Sequence, residues 1–234
     1  RFHAVYWPAF LLSVGYDLPK HIFAHGWWLV EGKKMSKSLG NVIDPYKMVE
    51  ELGLDESRYY LLREVPFGQD ADYTKEGIRN RLTGELANQI GNLFSRVSAM
   101  VVRYTQGKLK GKKDSTYENL CEEVIRNYEE SMKRVDFYNA LESVLKLASF
   151  LNKYVDEKAP WELAKSDQEK LMDVLYTLTD GIYVMAYLLE PFMPNKLSPV
   201  VESLTEGKRT QSIRPYSFGE YSLREKLLLF PRKF

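Results

Sequence analysis

The chain has little cysteine, little net charge and no long apolar run, and each shortage excludes a class of protein. A single cysteine, Cys121, in 234 residues excludes an internal disulfide framework and a cysteine-rich zinc knuckle. We therefore expect a reducing compartment: the cytoplasm, with an organelle matrix as the alternative. No apolar run is long enough to span a membrane, so we expect no membrane partner. The 33 basic and 32 acidic residues nearly cancel, so any nucleic-acid contact requires a local patch.

What the chain does have is enough apolar material for cores, with 44% hydrophobic and 13% aromatic residues. Apolar residues at spacings of three and four predict one long amphipathic helix from Lys75 to about Tyr104. Similar patterns predict helices near 46–52, 56–65, 117–134, 137–155, 168–189 and 196–204. A Gly-Lys linker is expected at 106–113. We expect an irregular tail at 206–234 whose apolar run, 227–231, folds back onto the rest. The fold class is therefore mainly α, with an α-helical bundle after Thr74.

The first 43 residues follow a different pattern. Residues 1–12 carry aromatic and aliphatic side chains at helical spacing and predict a short buried helix, and residues 22–30 predict a strand. One helix and one strand cannot form a stable domain, so this piece resembles the end of a Rossmann-like α/β catalytic domain. We expect the larger part to lie outside this sequence, with Arg1 as a cut point. The expected domains are 1–43, connecting helices at 44–73, and the bundle with its tail at 74–234.

The lysine loop, Lys34-Met35-Ser36-Lys37-Ser38, lies between Gly32 and Gly40. Two lysines three apart, joined by hydroxyl residues on a mobile backbone, suit a triphosphate. Lys-rich and Ser-rich turns are more often solvated loops, and the chain contains no GxxxxGK[ST] arrangement. The residues alone therefore leave both interpretations open.

Asn88, Asn92 and Arg96 recur every four residues on the predicted long helix, beside its apolar stripe. Amide and guanidinium groups can contact the edges of unstacked RNA bases, although polar residues also occupy ordinary solvent faces. Trp161 follows Pro160 in a predicted interhelical loop. There it would offer a stacking platform for a base or, as a Trp beside a Pro more commonly does, fill the core.

His3 and Trp7 are four residues apart and form an aromatic-walled slot on one helical face, which suits a thioether side chain. The alternative is aromatic core filling with a satisfied histidine. A basic run extends from the end of the long helix into the linker, and we interpret it as a solvated segment more readily than as a contact to RNA phosphates. Its residues are Arg103, Lys108, Lys110, Lys112 and Lys113.

Three stretches carry a resemblance to a known family. The lysine loop resembles the second signature of class I aminoacyl-tRNA synthetases, and the string through Pro45 resembles the methionyl, leucyl, isoleucyl and valyl group. Residues 86–96 are similar to the anticodon-helix motif of the methionyl and neighbouring synthetases. Ala159-Pro160-Trp161 is similar to the stacking tryptophan of the methionyl family, and the FHxxxWPA stretch from Phe2 resembles its methionine pocket. The resemblance covers essentially the whole chain, as the carboxyl-terminal half of a methionyl-tRNA synthetase.

The resemblance implies a role for each motif. Lys34 and Lys37 would be catalytic, and ATP would also contact Met35, Ser36, Ser38 and His25. Methionine would contact His3 and Trp7, and the CAU anticodon would be read by Asn88, Asn92, Arg96 and Trp161. ATP with Mg²⁺ is the expected cosubstrate, with no metal site in this chain. The expected partners are tRNA(Met), ATP, methionine and the amino-terminal half of the catalytic domain, and DNA is not expected.

The first class I signature, of the HxGH type, does not occur, because His21, His25 and Gly26 do not match it. We therefore expect the isolated chain to lack ligase activity. The alternatives are a non-catalytic module that binds the tRNA anticodon, another class I synthetase of the leucyl, isoleucyl or valyl group, and a helical interaction protein that uses neither ATP nor RNA.

Overall fold

The computed structural model describes residues 1–207 and 219–232, and the architecture is mainly α, as predicted. Within these ranges the α-helices are α1 (Trp7–Ser13), α2 (Pro45–Leu52), α3 (Leu54–Arg63), α4 (Lys75–Arg79), α5 (Asn92–Thr105), α6 (Ser115–Lys133), α7 (Phe137–Lys158), α8 (Pro160–Ser166), α9 (Gln168–Leu189) and α10 (Pro194–Thr205). Two π-helical stretches, Phe2–Tyr6 and Asn80–Gly91, and a 3₁₀ turn, Lys37–Leu39, accompany them. The strands are β1 (Trp28–Val30), β2 (Lys33–Lys34), β3 (Ala71–Tyr73), β4 (Lys108–Leu109) and β5 (Tyr221–Ser222).

The bundle is centred on α9, which packs against α5, α7, α8 and α10. Its bounds match the prediction, and most of its residues are buried, so it is a core helix with little solvent face. Aspartates define the starts of three bundle helices. Asp114, Asp136 and Asp167 each accept a hydrogen bond from a backbone N–H in the first turn of α6, α7 and α9. These caps explain why local sequence locates the helices well.

The predicted long helix is continuous from residue 75 to 105, but its middle is π-helical instead of α-helical. We call the segment 75–105 the long helix. Its apolar stripe is buried as predicted and comprises Ile78, Leu82, Leu86, Ile90, Leu93, Val97 and Val101. The π-helical stretch contains Thr83, Gly84 and Gly91, which are weak α-formers, so local preference opposes the wider turn only weakly.

A small sheet precedes the bundle, in the strand order β2-β1-β3. β1 pairs antiparallel with β2 and parallel with β3. The predicted strand at 22–30 was too long, since only Trp28–Val30 pairs, against a β3 of three residues. Just before it, Gly26 lies against the 69–70 backbone so closely that a Cβ there would be 2.0 Å from the Gln69 carbonyl oxygen. A residue with a Cβ would therefore not fit at this point.

The prediction of a buried first helix was wrong for this chain. No residue of 2–13 is buried, and Phe2 and Phe10 remain 71% and 69% exposed. The apolar pattern identified a helix that needs a covering surface, but no described part of this chain supplies that surface.

Helix α3 attaches the sheet region to the bundle. Asp55 Oδ2 accepts a hydrogen bond from the Lys196 N–H at the start of α10, at 2.7 Å. Arg58 donates to the carbonyl oxygens of Phe192 and Pro191, each at 2.8 Å. Arg63 is 3% exposed and pairs with Glu85 at 3.1 Å. Because three turns of α3 are held in this way, the connecting helices and the bundle form one packed unit.

The tail folds back onto the bundle, as predicted. The Leu227 N–H donates to Ser98 Oγ at 2.9 Å, and Lys196 Nζ donates to the Leu229 carbonyl oxygen at 2.9 Å. The expected linker at 106–113 contains β4, which pairs with β5. That pairing was missed because the partner strand lies more than a hundred residues further on. Residues 208–218 and 233–234 of the predicted irregular tail lie outside the described residues.

A buried carboxylate joins the linker, α6, α9 and β5. Asp180 is fully buried and accepts hydrogen bonds from the hydroxyl groups of Tyr117, at 2.6 Å, and Tyr221. Lys113 Nζ lies 2.8 Å from Asp180 Oδ1, although the sequence suggested a solvated lysine. Burial and the neighbouring carboxylate raise the pKa of both tyrosines well above 10. They therefore remain hydrogen-bond donors to Asp180.

Candidate functional site

The lysine loop is presented by the β1–β2 hairpin. Its two turn residues both have positive φ, 51° at Glu31 and 71° at Gly32, which is the geometry that matches the twist of a hairpin. The Gly32 N–H donates to Asp72 Oδ2 at 2.9 Å, so β3 also supports the turn. Lys34 is the last residue of β2, so the loop begins from an edge strand that pairs with β1, and β1 is itself paired on its other side with β3.

Asn41 closes the lysine loop. Its Oδ1 accepts a hydrogen bond from the Ser36 N–H at 2.8 Å, and its Nδ2 donates to the Lys34 carbonyl oxygen at 3.2 Å. The hydroxyl groups of Ser36 and Ser38 lie 2.7 Å apart. Sequence reasoning assigned no role to Asn41. The Gly40-Asn41 pair was a usable sequence signal for this role, because the side chain of an asparagine beside a glycine often forms hydrogen bonds with the backbone of a turn.

Both lysines of the loop are exposed to solvent. Lys34 Nζ lies 5.4 Å from the centroid of the Trp27 ring, a cation–π contact, and Lys37 begins the 3₁₀ turn. Met35 and Ser36, which separate the two lysines along the chain, are half-buried. The arrangement offers two accessible cations on a backbone that Asn41 holds in shape.

His25 lies apart from the lysine loop. Its Nδ1 is 2.8 Å from the Gly26 carbonyl oxygen. The ring lines a cavity of about 290 Å³ between the sheet and the bundle, together with Phe67, Phe137 and Tyr138. No residue of the lysine loop lines this cavity, so contact of His25 with adenosine stays a prediction.

His3 and Trp7 lie on one concave surface, as their spacing predicts. They line a cavity of about 540 Å³ with three further aromatic residues, Phe2, Tyr6 and Phe10. Trp7 is 44% exposed. The cavity therefore offers aromatic rings, which make favourable contacts with a thioether sulfur, and one imidazole. Binding of methionine there stays a prediction.

Asn88 and Asn92 are both exposed and line one groove of about 590 Å³. We call it the amide groove. The opposite side is formed by the tail segment 228–232, which we call the tail wall. The long helix and the tail wall approach closely at Gly91, where an added Cβ would lie 3.3 Å from the Phe230 Cβ. Sequence reasoning found the two asparagines and predicted that 227–231 folds back, but it did not indicate that this segment lies against the asparagines, because the two sides are far apart along the chain.

Arg96 and Trp161 do not line the amide groove. Arg96, one turn beyond Asn92, pairs with Asp156 of α7, with its Nη2 2.6 Å from Asp156 Oδ1. Trp161 was predicted in an interhelical loop, but it lies in the first turn of α8 because Pro160 occupies the first helical position. Its side chain is 40% exposed, so it does not fill the core.

Arg232 of the tail wall contacts Asn88 directly. Its Nε donates a hydrogen bond to Asn88 Oδ1 at 3.0 Å. This contact joins residues 144 positions apart, and no sequence signal indicated it.

Metal-binding clusters and membrane-spanning helices are both absent from the described residues. Among residues 1–207 and 219–232, no group of three or more His, Cys, Asp or Glu side chains is placed to hold a metal ion. In the same part of the chain, no helix is both long enough and apolar enough to cross a membrane.

Comparison with known proteins identifies the family. Residues 1–98 match the family model described as tRNA synthetases class I (M), so the sheet and lysine loop are those of a class I aminoacyl-tRNA synthetase. Residues 104–214 match the model described as the anticodon binding domain of methionyl tRNA ligase. The chain belongs to the methionyl-tRNA synthetase family, and the resemblance seen in the sequence is confirmed.

Individual relatives agree with this assignment. The methionine–tRNA ligases of Rickettsia felis and Bacillus subtilis are 39% and 41% identical over 99% of the chain. The structure of Mycobacterium tuberculosis methionyl-tRNA synthetase in complex with methionyl-adenylate superimposes with a TM-score of 0.88 at 35% identity, over 99% of this chain. The chain spans 48% and 37% of the two ligases and 48% of the solved chain, so it covers half or less of their length.

Proposed function

We propose that this chain is part of an enzyme that attaches methionine to tRNA(Met), using ATP and passing through methionyl-adenylate. The proposal is supported by relatives that are methionine–tRNA ligases and by a solved relative that holds methionyl-adenylate. Because the chain spans half or less of those proteins, the complete reaction would belong to the whole enzyme. We infer a cytoplasmic location, where translation takes place.

In this proposal the chain divides into three functional parts. Residues 1–43 would complete the catalytic domain. The exposed aromatic face of 2–13 would pack against the amino-terminal half of that domain. Residues 44–73 would connect the two sites. Residues 74–234 would recognise the anticodon. The attachment of α3 to both the long helix and α10 supports the connecting role.

The lysine loop would act on the triphosphate of MgATP. The methionine carboxylate attacks the α-phosphorus, the bond to the bridging oxygen breaks, and pyrophosphate leaves with additional negative charge. The ammonium groups of Lys34 and Lys37 would stabilise that charge, an interaction stronger in the transition state than in the ground state. Met35, Ser36 and Ser38 would supply the surrounding loop contacts, and Mg²⁺ would arrive with the nucleotide. Exposed lysines on a loop closed by Asn41 support this role.

The substrate amino acid would bind against the aromatic surface near the amino terminus. His3 and Trp7 would contact the methionine side chain, and His25 would lie near the adenosine. The cavity that His3 and Trp7 share supports the first assignment. Methionine would then pass from the adenylate to the 3′ end of the tRNA.

The amide groove is the observation that carries the RNA-binding part of the proposal. Asn88 and Asn92 present amide donors and acceptors along one wall of a groove whose volume suits an unstacked base. Arg96 would add a guanidinium on the same helix. Trp161, exposed at the start of α8, would stack on a second base of the CAU anticodon.

The test is a binding and aminoacylation experiment on a panel of tRNAs. The chain alone should bind tRNA(Met) in preference to tRNAs with other anticodons, and it should charge none of them. Adding the amino-terminal half of a related ligase should restore charging with methionine. Anticodon-selective binding without rescue would favour a non-catalytic tRNA-binding module, and absence of tRNA binding would favour a helical interaction protein.

A single substitution separates methionine from other class I specificities. Trp161→Ala should lower the preference for the CAU anticodon, because the stacking surface is lost. Stacking of one base on an aromatic side chain contributes roughly 1–3 kcal/mol, so the affinity for the cognate tRNA should fall by about 5- to 150-fold. An unchanged anticodon preference would argue for a leucyl, isoleucyl or valyl enzyme.

A further inference from the structure

We propose that Arg232 is a positioning residue for RNA recognition, which fixes the amide of Asn88 so that its NH₂ group faces the amide groove. The site would then accept a base whose exposed edge carries hydrogen-bond acceptors. The inference rests on the proposed anticodon binding and adds a residue and a base preference to it.

The tail wall is fixed along its length, so Arg232 approaches Asn88 from a defined position. The Leu227 N–H bonds Ser98 Oγ at 2.9 Å, and the Leu229 carbonyl oxygen accepts from Lys196 Nζ at 2.9 Å. Between Leu229 and Arg232, Phe230 lies against Gly91, where the absence of a Cβ allows close approach. Phe230 is 7% exposed, and the centroid of its ring lies 5.5 Å from Lys196 Nζ. Arg232 follows two residues later at the rim of the groove.

The contact determines which way the Asn88 amide points. Arginine has only donors, so the amide atom that faces Arg232 Nε must be the oxygen. The NH₂ group then points away from Arg232, and in this proposal its two hydrogens are the ones offered to a base in the groove. Without the arginine, the amide would rotate between two orientations, one of which presents an acceptor.

A fixed NH₂ group selects among bases by their hydrogen-bonding pattern. It donates to an edge that carries acceptors, such as O2 and N3 of cytosine, and it repels an edge that presents only a donor at the same place. In a groove that is partly shielded from water, a donor facing a donor leaves two groups without partners, which is the unfavourable case. Arg232 would therefore contribute selectivity without touching a base.

The test uses the full chain and a set of RNA stem-loops, one with a CAU anticodon and others with each anticodon base replaced in turn. The variants are Arg232→Ala, Arg232→Lys and the control Lys226→Ala, which removes an exposed cation of the same tail outside the groove. In Arg232→Ala, the affinity ratio between the CAU stem-loop and the replaced one should fall by roughly 5- to 10-fold at one anticodon position. Arg232→Lys should restore part of the ratio, because an ammonium can donate to Asn88 Oδ1. Lys226→Ala should leave it unchanged.

Two further variants test whether Arg232 acts through Asn88. Once Asn88 is alanine, adding Arg232→Ala should cause no further loss of selectivity. Asn88→Asp keeps an acceptor for Arg232 but presents oxygen to the groove, so it should lose the preference while the melting temperature is maintained. That variant keeps the test valid if Arg232→Ala fails to fold.

Three results would overturn the inference. If Arg232→Ala lowers the affinity for all stem-loops equally and also reduces the salt dependence of binding, Arg232 is only a phosphate contact. An unchanged ratio in Arg232→Ala would remove the role altogether, as would additive losses in the double variant. If the unaltered chain shows no anticodon preference, the proposed function itself fails. The two failures can be told apart. If the anticodon preference exists and is lowered by Asn88→Ala but not by Arg232→Ala, only the role of Arg232 is refuted.

Discussion

The buried carboxylate of Asp180 gives the sharpest prediction about stability. It is fully buried and accepts from two tyrosine hydroxyl groups, and it lies 2.8 Å from Lys113 Nζ. Asp180→Asn preserves the shape of the side chain and one acceptor oxygen. It removes the negative charge and places a donor toward a neighbouring donor. The substitution therefore tests the charge and hydrogen bonding of this site with little change in volume.

The expected loss follows from the lysine that remains. The side chain of Lys113 is 10% exposed, so Asp180→Asn removes the carboxylate that lies 2.8 Å from a largely buried charge. Removing one member of a buried ion pair costs about 3–5 kcal/mol, and a hydroxyl left without its acceptor costs about 1–3 kcal/mol. These contributions share one site and do not add, so we expect a total loss of about 3–5 kcal/mol. For a chain of this size, that corresponds to a fall in Tm of roughly 6–20 °C.

Urea unfolding followed by far-UV circular dichroism measures this loss, with Glu162→Gln as the control. Glu162 pairs with Lys165 on the surface, and its replacement should produce no measurable change. Lys113→Met combined with Asp180→Asn should be more stable than Asp180→Asn alone, because the largely buried cation that lost its carboxylate is removed as well. The reasoning is refuted if Asp180→Asn costs less than about 1 kcal/mol, or if adding Lys113→Met lowers stability further.

Three other predictions concern the lysine loop and the buried thiol. In the intact ligase, Lys37→Ala should lower adenylate formation by a factor on the order of 10² or more while tRNA binding survives, and undiminished pyrophosphate exchange would contradict the role. Asn41→Ala should also slow pyrophosphate exchange, because the loop loses both of its closing hydrogen bonds, whereas Asn41→Asp keeps the acceptor for Ser36 and should be less impaired. Equal rates in the two Asn41 variants would show that loop closure has no effect on the exchange. Burial raises the pKa of the Cys121 thiol to about 12 from an ordinary 9.0, so folding favours the protonated form. That stabilisation is complete below about pH 9 and is lost toward pH 12, at up to about 1.4 kcal/mol per pH unit. Cys121→Ala should reduce this slope in pH-dependent urea unfolding, and identical slopes would contradict the assignment.

Local signals explain what the sequence could predict. The bounds of α6, α7 and α9 follow from an aspartate before the first turn and from an apolar stripe, both of which lie within the helix itself. The lysine loop and the stripe of Asn88 and Asn92 were likewise visible as short strings. Each of these features depends on residues that are neighbours along the chain.

Most of the features that were missed depend on residues far apart along the chain. The β4–β5 pair joins segments more than a hundred residues apart, and strand pairing across such distances leaves no periodic pattern. The exposure of the first helix could not be predicted, because an apolar stripe shows which face needs cover and not what covers it. The π-helical stretch was missed because its apolar spacing also satisfies an α-helix. Arg232 was missed because a single exposed arginine has no pattern at all.

The amide groove has a further consequence for the order in which the protein is made. Its asparagine side emerges from the ribosome first, and Arg232 follows Asn88 by 144 residues. At roughly 5–20 residues per second, the helix waits about 7–29 s before the opposite wall has been synthesised. A nascent chain therefore displays its asparagines on an open helix face throughout most of bundle synthesis. The groove acquires its second side only after Arg232 has been synthesised.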